Sequence, residues 1–374
     1  MPEPGGLHAG DPRWARLFLA AAYAAFAAYL LGLLALARRR ARLGLVAALA
    51  AAIQLAPLGA PLLLSTDAWT YWNLGRIATV QEGNPYRDAP EDFPSDAAFP
   101  YVGADWRDRG SVYGPAFTLA SEPIARVAGE SPDAAAWLFK ALAAAAILAA
   151  AVLAARLARR TAFALAFVGW NPLLALHFGG GGHNDAWVAA LVLGALALAA
   201  HGRRQLAGVV WALAVLVKWI PVVFLLLRAV EARAGGREVR HAGFAAAAAA
   251  VIALATWRYG LGWLGAFGPL AQNANQETRF ALPHRLAQLG VPEPVALGLF
   301  GLAFAAGFAW LLREAARGRA RLGLAAGLLL LAVPYLAPWY TAWAVPLAAA
   351  EEDRPARLLA LGVCAYLLPQ TVPI

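Results

Sequence analysis

The sequence is poor in cysteine and in charged side chains, and both shortages narrow the class of protein. It has a single cysteine, Cys364, so no disulfide bond can form within the chain. Cysteine and histidine do not occur together at the spacing of a zinc site. Only 14% of the 374 residues are Asp, Glu, Lys or Arg, against about a quarter in a typical soluble domain. An ordinary soluble enzyme is therefore not expected.

Apolar residues fill the chain instead, at 61% of the sequence. A spanning helix needs about 20 apolar residues, and shorter helices are tolerated only where they line a cavity or are buried in protein. The sequence predicts an all-α polytopic membrane protein, one integral-membrane domain over residues 1–374, with about 10–13 transmembrane or partly spanning helices. The apolar runs lie at residues 14–37, 43–64, 133–155, 161–178, 186–200, 206–217, 219–230, 242–257, 294–312, 322–337, 340–350 and 357–373.

The arginines predict the orientation of these helices. Alternate connections between the runs hold 19 of the 31 Lys and Arg residues, and the other connections hold 16 of the 22 acids. The positive-inside rule places the basic connections in the cytoplasm and both termini outside. The net charge of +9 is thus explained by orientation, and we expect a lipid bilayer rather than nucleic acid as the partner, since a nucleic-acid site would need clustered cations interleaved with aromatics on one face.

The predicted outer side carries two long polar loops. One covers residues 65–132 and ends in an interfacial helix at about residues 111–129, and the other covers residues 257–294. Loops of this length are usually functional or disordered. The many aromatic residues and the turn sequences of the first loop favour an ordered one.

Asp67 opens the first loop, three residues after an apolar run ends. It suits either a helix N-cap or a general base, because an Asp with an unperturbed pKa of about 3.9 would be ionised at the membrane surface.

His183, Asn184 and Asp185 follow four glycines directly before another apolar run. They suit either a flexible turn with an N-cap or a site for an anionic or polyhydroxyl ligand.

Cationic residues offer candidate phosphate ligands on the same side. Lys218 interrupts an apolar stretch, where a cation is costly, so it either extends to the interface or holds a phosphate. Arg279, His284 and Arg285 in the second loop belong either to a solvated loop or to the same phosphate site.

Seven short motifs, which include Asp67, the residues around His183 and Lys218, follow one another between Asp67 and Tyr340. Their order resembles that of the GT-C class of membrane glycosyltransferases, and within it the bacterial polyprenyl-phosphomannose-dependent mannosyltransferases of the glycosyltransferase 87 type. In that class a catalytic acid lies in the first large outer loop, a position that Asp67 matches here. Many members have a second acid close by, whereas here Ala68 follows and the next acid is Glu82. The matching motifs are Asp67 to Tyr71, Gly83 to Tyr86, Tyr113 to Pro115, Trp170 to Pro172, Gly182 to Asp185, Lys218 to Pro221 and Pro338 to Tyr340.

The resemblance implies an inverting transfer of a sugar, mannose in the nearest group, from a polyprenyl-phosphate donor to a glycan or glycolipid acceptor. The reaction would take place on the extracytoplasmic face of a bacterial plasma membrane, with Asp67 as base and with no metal or cofactor. Expected phosphate ligands are Lys218, Arg279, His284 and Arg285. Expected sugar or acceptor contacts are Trp69, Tyr71, Glu82, Tyr86, His183, Asn184, Asp185, Trp339 and Tyr340.

The alternatives to a glycosyltransferase are a transporter or flippase for a lipid-linked saccharide and a non-catalytic cell-envelope assembly protein.

Overall fold

The structure, a computed structural model, describes residues 11–39, 41–236, 241–268 and 278–372 and two short strands near the N-terminus. The strands, β1 (Pro2–Glu3) and β2 (Gly6–Leu7), pair antiparallel with Pro2 opposite Leu7. The helices are α1 (Pro12–Arg38), α2 (Leu43–Leu55), α3 (Asp67–Thr79), α4 (Pro115–Ala128), α5 (Pro132–Leu157), α6 (Thr161–Gly169), α7 (Pro172–Phe178), α8 (Asp185–Ala200), α9 (Arg204–Val217), α10 (Pro221–Ala234), α11 (Ala242–Tyr259), α12 (Leu282–Gln288), α13 (Glu293–Ala316), α14 (Leu322–Ala332), α15 (Val345–Glu351) and α16 (Arg354–Leu367).

Four helices of the described residues are long and apolar enough to cross a membrane: α1, α5, α13, and α11 with the turn that extends it to Ala266. The pair α6 and α7 forms a fifth candidate, bent by 51°. The structure also contains shorter apolar helices, which cover Leu43–Gly59, Asp185–Ala200, Arg204–Val217 and Leu322–Ala332. The predicted all-α polytopic membrane fold is confirmed, and many of the predicted helices are of the short, partly spanning kind.

Helix α5 is the centre of the bundle and packs against α6, α8 and α15. The side chain of Ser131 accepts a hydrogen bond from Ala134 N, Pro132 occupies the first turn, and Asp133 lies there too. Each of these features favours a helix start. The buried face of α5 is rich in alanine, and such small side chains allow neighbouring helices to approach closely.

The first long loop is ordered, as its aromatic residues and turn sequences predicted. Nearly all of α3 is buried, and it packs against α4, the helix predicted to be interfacial. Gly75 permits this contact, because an added Cβ would lie 2.7 Å from Ser121 O. A buried ion pair between Arg76 Nε and Asp96 Oδ1, 2.8 Å long, fixes the rest of the loop to α3.

Two ends of the bundle can be distinguished from the helix directions. Helix α8 begins at Asp185 and ends at Ala200, and α9 returns from Arg204 to the neighbourhood of Lys218. We call the end with Asp185 and Lys218 the Asp67 end, and the end with Arg204 the basic end.

Candidate active site

Asp67 lies in the first turn of α3, and two side chains bind the same oxygen of its carboxylate. His183 Nδ1 is 3.1 Å from Asp67 Oδ2, and the Tyr71 hydroxyl donates to that oxygen at 3.3 Å. The Asp67 side chain is 13% exposed, whereas that of His183 is fully buried. Both of these contacts are to Oδ2, and the Ser65 hydroxyl also hydrogen-bonds with the carboxylate. The carboxylate is therefore held firmly, and its Oδ1 lies outside the contacts with His183 and Tyr71.

The ring of His183 is held in place by Trp339. The two rings are stacked, with centroids 3.8 Å apart and an angle of 12° between their planes. Nε2 of His183 is buried and has no hydrogen-bond partner among the described residues. Since Nδ1 contacts a carboxylate, which can only accept, the imidazole carries a hydrogen on Nδ1.

The glycine-rich turn before His183 brings the imidazole to Asp67. Leu63 N donates to Gly180 O at 2.9 Å, which ties the turn to the segment that leads into α3. A Cβ on Gly179 would lie 2.3 Å from Gln54 O, and Gly182 has a φ of +74°. Only glycine fits such close approaches and favours such a φ. The glycines are thus required by the local geometry of this turn.

Lys218 and Asp185 form a second charged pair in the same part of the bundle. Lys218 Nζ lies 2.8 Å from Asp185 Oδ1, and Trp343 Nε1 donates to the same oxygen at 2.7 Å. Lys218 Nζ also lies 4.8 Å from the centroid of the Tyr340 ring, which is stacked on Trp343. Lys218 occupies the break between α9 and α10. The carboxylate and the ring faces therefore fix its ammonium group.

The surroundings of Asp67 favour its ionised form. Burial raises the pKa of its carboxyl group, but the interaction with His183, the charge of Lys218 and a hydrogen bond with Ser65 outweigh burial. The pKa consequently lies below the ordinary value for Asp. Asp67 is thus a carboxylate at neutral pH, ready to accept a proton.

Three other predicted contact residues, Trp69, Tyr86 and Glu82, have side chains directed away from the Asp67 carboxylate. Trp69 is buried, and its Nε1 donates to Pro132 O at 2.9 Å. The Tyr86 hydroxyl donates to Thr118 Oγ1 of α4 at 2.8 Å. Glu82 is exposed beyond the far end of α3, which places it about 20 Å along the helix axis from Asp67. The structure does not bring these three side chains to the carboxylate.

The predicted phosphate ligands of the second loop lie in and just before α12. Thr278 N donates to Pro334 O at 3.1 Å and Thr278 Oγ1 to Leu336 O at 2.8 Å, so the segment begins beside the residues that lead to Trp339. Arg279 is exposed and Arg285 lies over the Phe280 ring. His284 contacts Gln288. Residues 269–277 of this predicted loop lie outside the described residues.

Sequence reasoning missed Trp343 and His177. Trp343 follows Tyr340 by three positions within the turn Pro338–Trp343, and that spacing was the available signal. His177 is buried in α7, with its ring 5.9 Å from that of His183, and neither of its nitrogens has a partner among the described residues. Asn184 is buried beside them, and its amide is likewise without a partner in the described part of the chain. The described residues hold no group of three or more His, Cys, Asp or Glu placed to bind a metal ion.

Fold and site together define a multi-pass helical membrane protein with a carboxylate site at one end of its bundle. The sequence model of the family described as "Alpha-(1->6)-mannopyranosyltransferase, N-terminal domain" matches residues 8–233. Because the match covers more than half of the chain, the protein belongs to this family of mannosyltransferases. The resemblance carried by the motifs is thereby confirmed at the level of the family.

Two curated relatives indicate how much of the chain the similarity covers. A probable alpha-(1->6)-mannopyranosyltransferase of Mycolicibacterium smegmatis is 28% identical over 363 residues, or 79% of this chain and 63% of the relative. Alpha-(1->6)-mannopyranosyltransferase A of Mycobacterium tuberculosis is 30% identical over 228 residues, or 55% of this chain and 44% of the relative. The chain thus spans less than two thirds of the length of these relatives. No solved structure matches it significantly.

Proposed function

We propose that the protein transfers mannose from a polyprenyl-phosphate donor to a glycan or glycolipid acceptor, with inversion, on the membrane face away from the cytoplasm. The observation that carries the proposal is the Asp67 carboxylate, whose Oδ2 is held by His183 and Tyr71 while Oδ1 lies outside these two contacts. The family and the names of the relatives support mannose as the sugar. The arginine distribution supports the orientation.

Asp67 acts as the general base. As the acceptor hydroxyl oxygen attacks the anomeric carbon, its proton passes to Asp67 Oδ1. The bond between the anomeric carbon and the phosphate oxygen breaks on the opposite side of the sugar, and its electron pair leaves with the lipid phosphate. The configuration inverts, as in inverting glycosidases with an activated nucleophile. The hydrogen bonds to Oδ2 keep the carboxylate aligned during this step.

Lys218 stabilises the leaving phosphate. Its ammonium group has three hydrogens, of which one is directed to Asp185, so two can reach phosphate oxygens. A fixed cation at the place where negative charge develops is among the largest contributions to catalysis. The rings of Tyr340 and Trp343 hold the ammonium without neutralising it. Arg279, His284 and Arg285 remain proposed outer contacts of the same phosphate.

Transport of a lipid-linked saccharide is the second candidate. The bend of 51° between α6 and α7 and the break at Lys218 are features that transporters use at their binding sites. The bonding of Asp67 favours transfer, because a carboxylate whose Oδ2 is fixed by His183 and Tyr71 is aligned to accept a proton on Oδ1.

The test is a transfer assay with the purified full chain, radiolabelled polyprenyl phosphomannose and a mannan or mannolipid acceptor. We expect labelled product from the wild type and a loss of at least about a thousandfold for Asp67→Asn. Glu91→Gln, which changes an exposed acid of the same loop, is the matched control and should keep full activity. Near-normal transfer by the folded Asp67→Asn protein would overturn the base assignment. Movement of intact donor across vesicles, with no product formed, would favour transport.

A further inference from the structure

A groove at the basic end of the bundle is unrelated to Asp67. It has a volume of about 770 Å³ and runs between α8, α9 and α10, with the start of α11 at its mouth. Its walls are mostly apolar and contain many small residues. Those that carry the argument are Arg204, Ala207, Trp211, Val222, Arg228 and Ala229.

The groove has the depth of one membrane leaflet. Its wall on α10 extends from Val222 to Ala232, which is about 15 Å at 1.5 Å per residue. The hydrocarbon core of a bilayer is about 30 Å thick, so one leaflet contributes about half of that. On α9 the wall runs from Arg204 to Trp211, on residues three and four positions apart that share one face. An alkyl chain entering from the basic end would fit along both helices.

Positive charge lies at the mouth of this groove. Arg204 is exposed there, and the described residues give it no carboxylate partner. Arg228 also lines the groove and shares its charge with Glu231. The acid in the lining, Glu351, accepts hydrogen bonds from Leu322 N at 2.6 Å and Gly323 N at 2.8 Å, so it is bound by backbone donors. The exposed charge at the mouth is therefore that of Arg204, which no carboxylate of the described residues pairs.

We propose that the groove binds one anionic phospholipid of the leaflet at the basic end. Its phosphate lies at Arg204 and one acyl chain lies along α9 and α10 towards Trp211. Basic pockets between helices on the cytoplasmic side recognise anionic lipid headgroups in this way. Since α9 ends and α10 begins on either side of Lys218, the bound lipid also braces the two helices that hold that lysine.

The experiment titrates the purified full chain, in a neutral detergent, with dioleoyl phosphatidylglycerol or with phosphatidylcholine of the same chains. Native mass spectrometry counts bound lipid, and the melting temperature reports stabilisation, which rises with ligand concentration when only the folded state binds. We expect one phosphatidylglycerol to be retained at least about tenfold more tightly than phosphatidylcholine. Ala229→Trp, which fills the groove, should reduce retention of phosphatidylglycerol strongly.

Arg204→Gln is the decisive variant, because its side chain is exposed and its loss leaves the packing intact. We expect it to bind phosphatidylglycerol about fivefold to tenfold more weakly. Arg233→Gln, which removes an exposed arginine of α10 outside the groove, should bind as the wild type does. Equal binding of the two lipids, or equal effects of the two arginine variants, would overturn the proposal. So would an equal rise in melting temperature with inorganic phosphate alone, or preferential retention of a polyprenyl phosphate.

Discussion

The carboxylates of Asp67 and of the basic end have different hydrogen-bond partners. At the Asp67 end, Asp67 is bonded by His183 and Tyr71, and several buried polar atoms nearby have no partner among the described residues. At the basic end every buried or half-buried carboxylate that we describe is bound by arginine or by backbone N–H groups. These pairs join Glu231 to Arg228 and Ala320 N, Glu314 to Arg317 and Arg319, Glu351 to Leu322 N and Gly323 N, and Asp353 to Arg321.

The difference separates groups that hold the fold from groups that are available for chemistry. A buried polar atom without a hydrogen bond costs about 1–3 kcal/mol. His183 Nε2, Asp185 Oδ2 and the amide of Asn184 are such atoms in the described structure, and all lie at the Asp67 end. Proteins retain buried polar atoms without hydrogen-bond partners mainly at functional sites, because the free-energy cost is tolerated there for the sake of function. The comparison therefore predicts that substitutions of the groups around Asp67 and Lys218 change catalysis, and that substitutions of groups paired to hold the fold, at either end, change stability.

The two lysines of the chain test this division most strongly. Lys218→Met removes the ammonium held by Asp185, and we expect the transfer rate kcat to fall by about 100- to 1,000-fold with the protein still folded. Lys140→Met is the matched control, since Lys140 donates to the carbonyl groups of Leu58 and Pro61 and so caps the end of a neighbouring segment. It should lower the melting temperature without a comparable loss of rate in the folded fraction. A rate within a few-fold of wild type for Lys218→Met would remove Lys218 from the mechanism.

His183→Asn sharpens the comparison through the pH dependence of transfer. Burial raises the pKa of Asp67 and the interaction with His183 is the foremost of those that lower it, so loss of the imidazole should raise that pKa. The base would then be protonated at a higher pH, and the acid limb of the kcat profile should move upward in pH. We expect the rate at neutral pH to fall by about 10- to 100-fold.

His201→Asn is the control for this experiment, because the His201 ring hydrogen-bonds with Ala197 O near the basic end, away from Asp67. It should leave both the rate and the pH profile unchanged. A rate loss in His183→Asn with an unmoved acid limb would mean that His183 supports the fold and does not tune Asp67.

The fold was more predictable from the sequence than the site. Apolar runs and arginine placement are local properties, and they predicted the helical membrane fold. Asp67, His183, Lys218 and Trp339 were also singled out, but their contacts join residues far apart in the sequence, for example 116 positions for Asp67 and His183, which no local pattern contains. Trp69 could not be distinguished from a sugar-stacking residue, because an indole ring serves packing and ligand contact equally well.

At the basic end, Arg321→Gln should affect stability and leave catalysis unchanged. The guanidinium donates to both oxygens of Asp353, at 2.7 and 3.1 Å, and such bidentate pairs are stronger than ordinary ion pairs. We expect a loss of about 1–3 kcal/mol of unfolding free energy and an unchanged kcat for the folded protein. A double-mutant cycle with Asp353→Asn isolates the pair. A loss of rate without a loss of stability would contradict the division between the two ends.

The smallest effect is expected at the rim of the Asp67 end, where Arg279 is exposed. Exposed charges are screened by water and salt, so Arg279→Gln should raise the KM for the lipid-phosphate donor only about twofold to fivefold and leave kcat unchanged. The effect should shrink further as salt is added, because long-range attraction of an anionic donor is weakened. Arg87→Gln removes an arginine that is also exposed and already pairs with Asp88, so it should change neither constant. A fall in kcat of Arg279→Gln comparable to that of Lys218→Met would place Arg279 at the reacting phosphate and extend the catalytic region into the second loop.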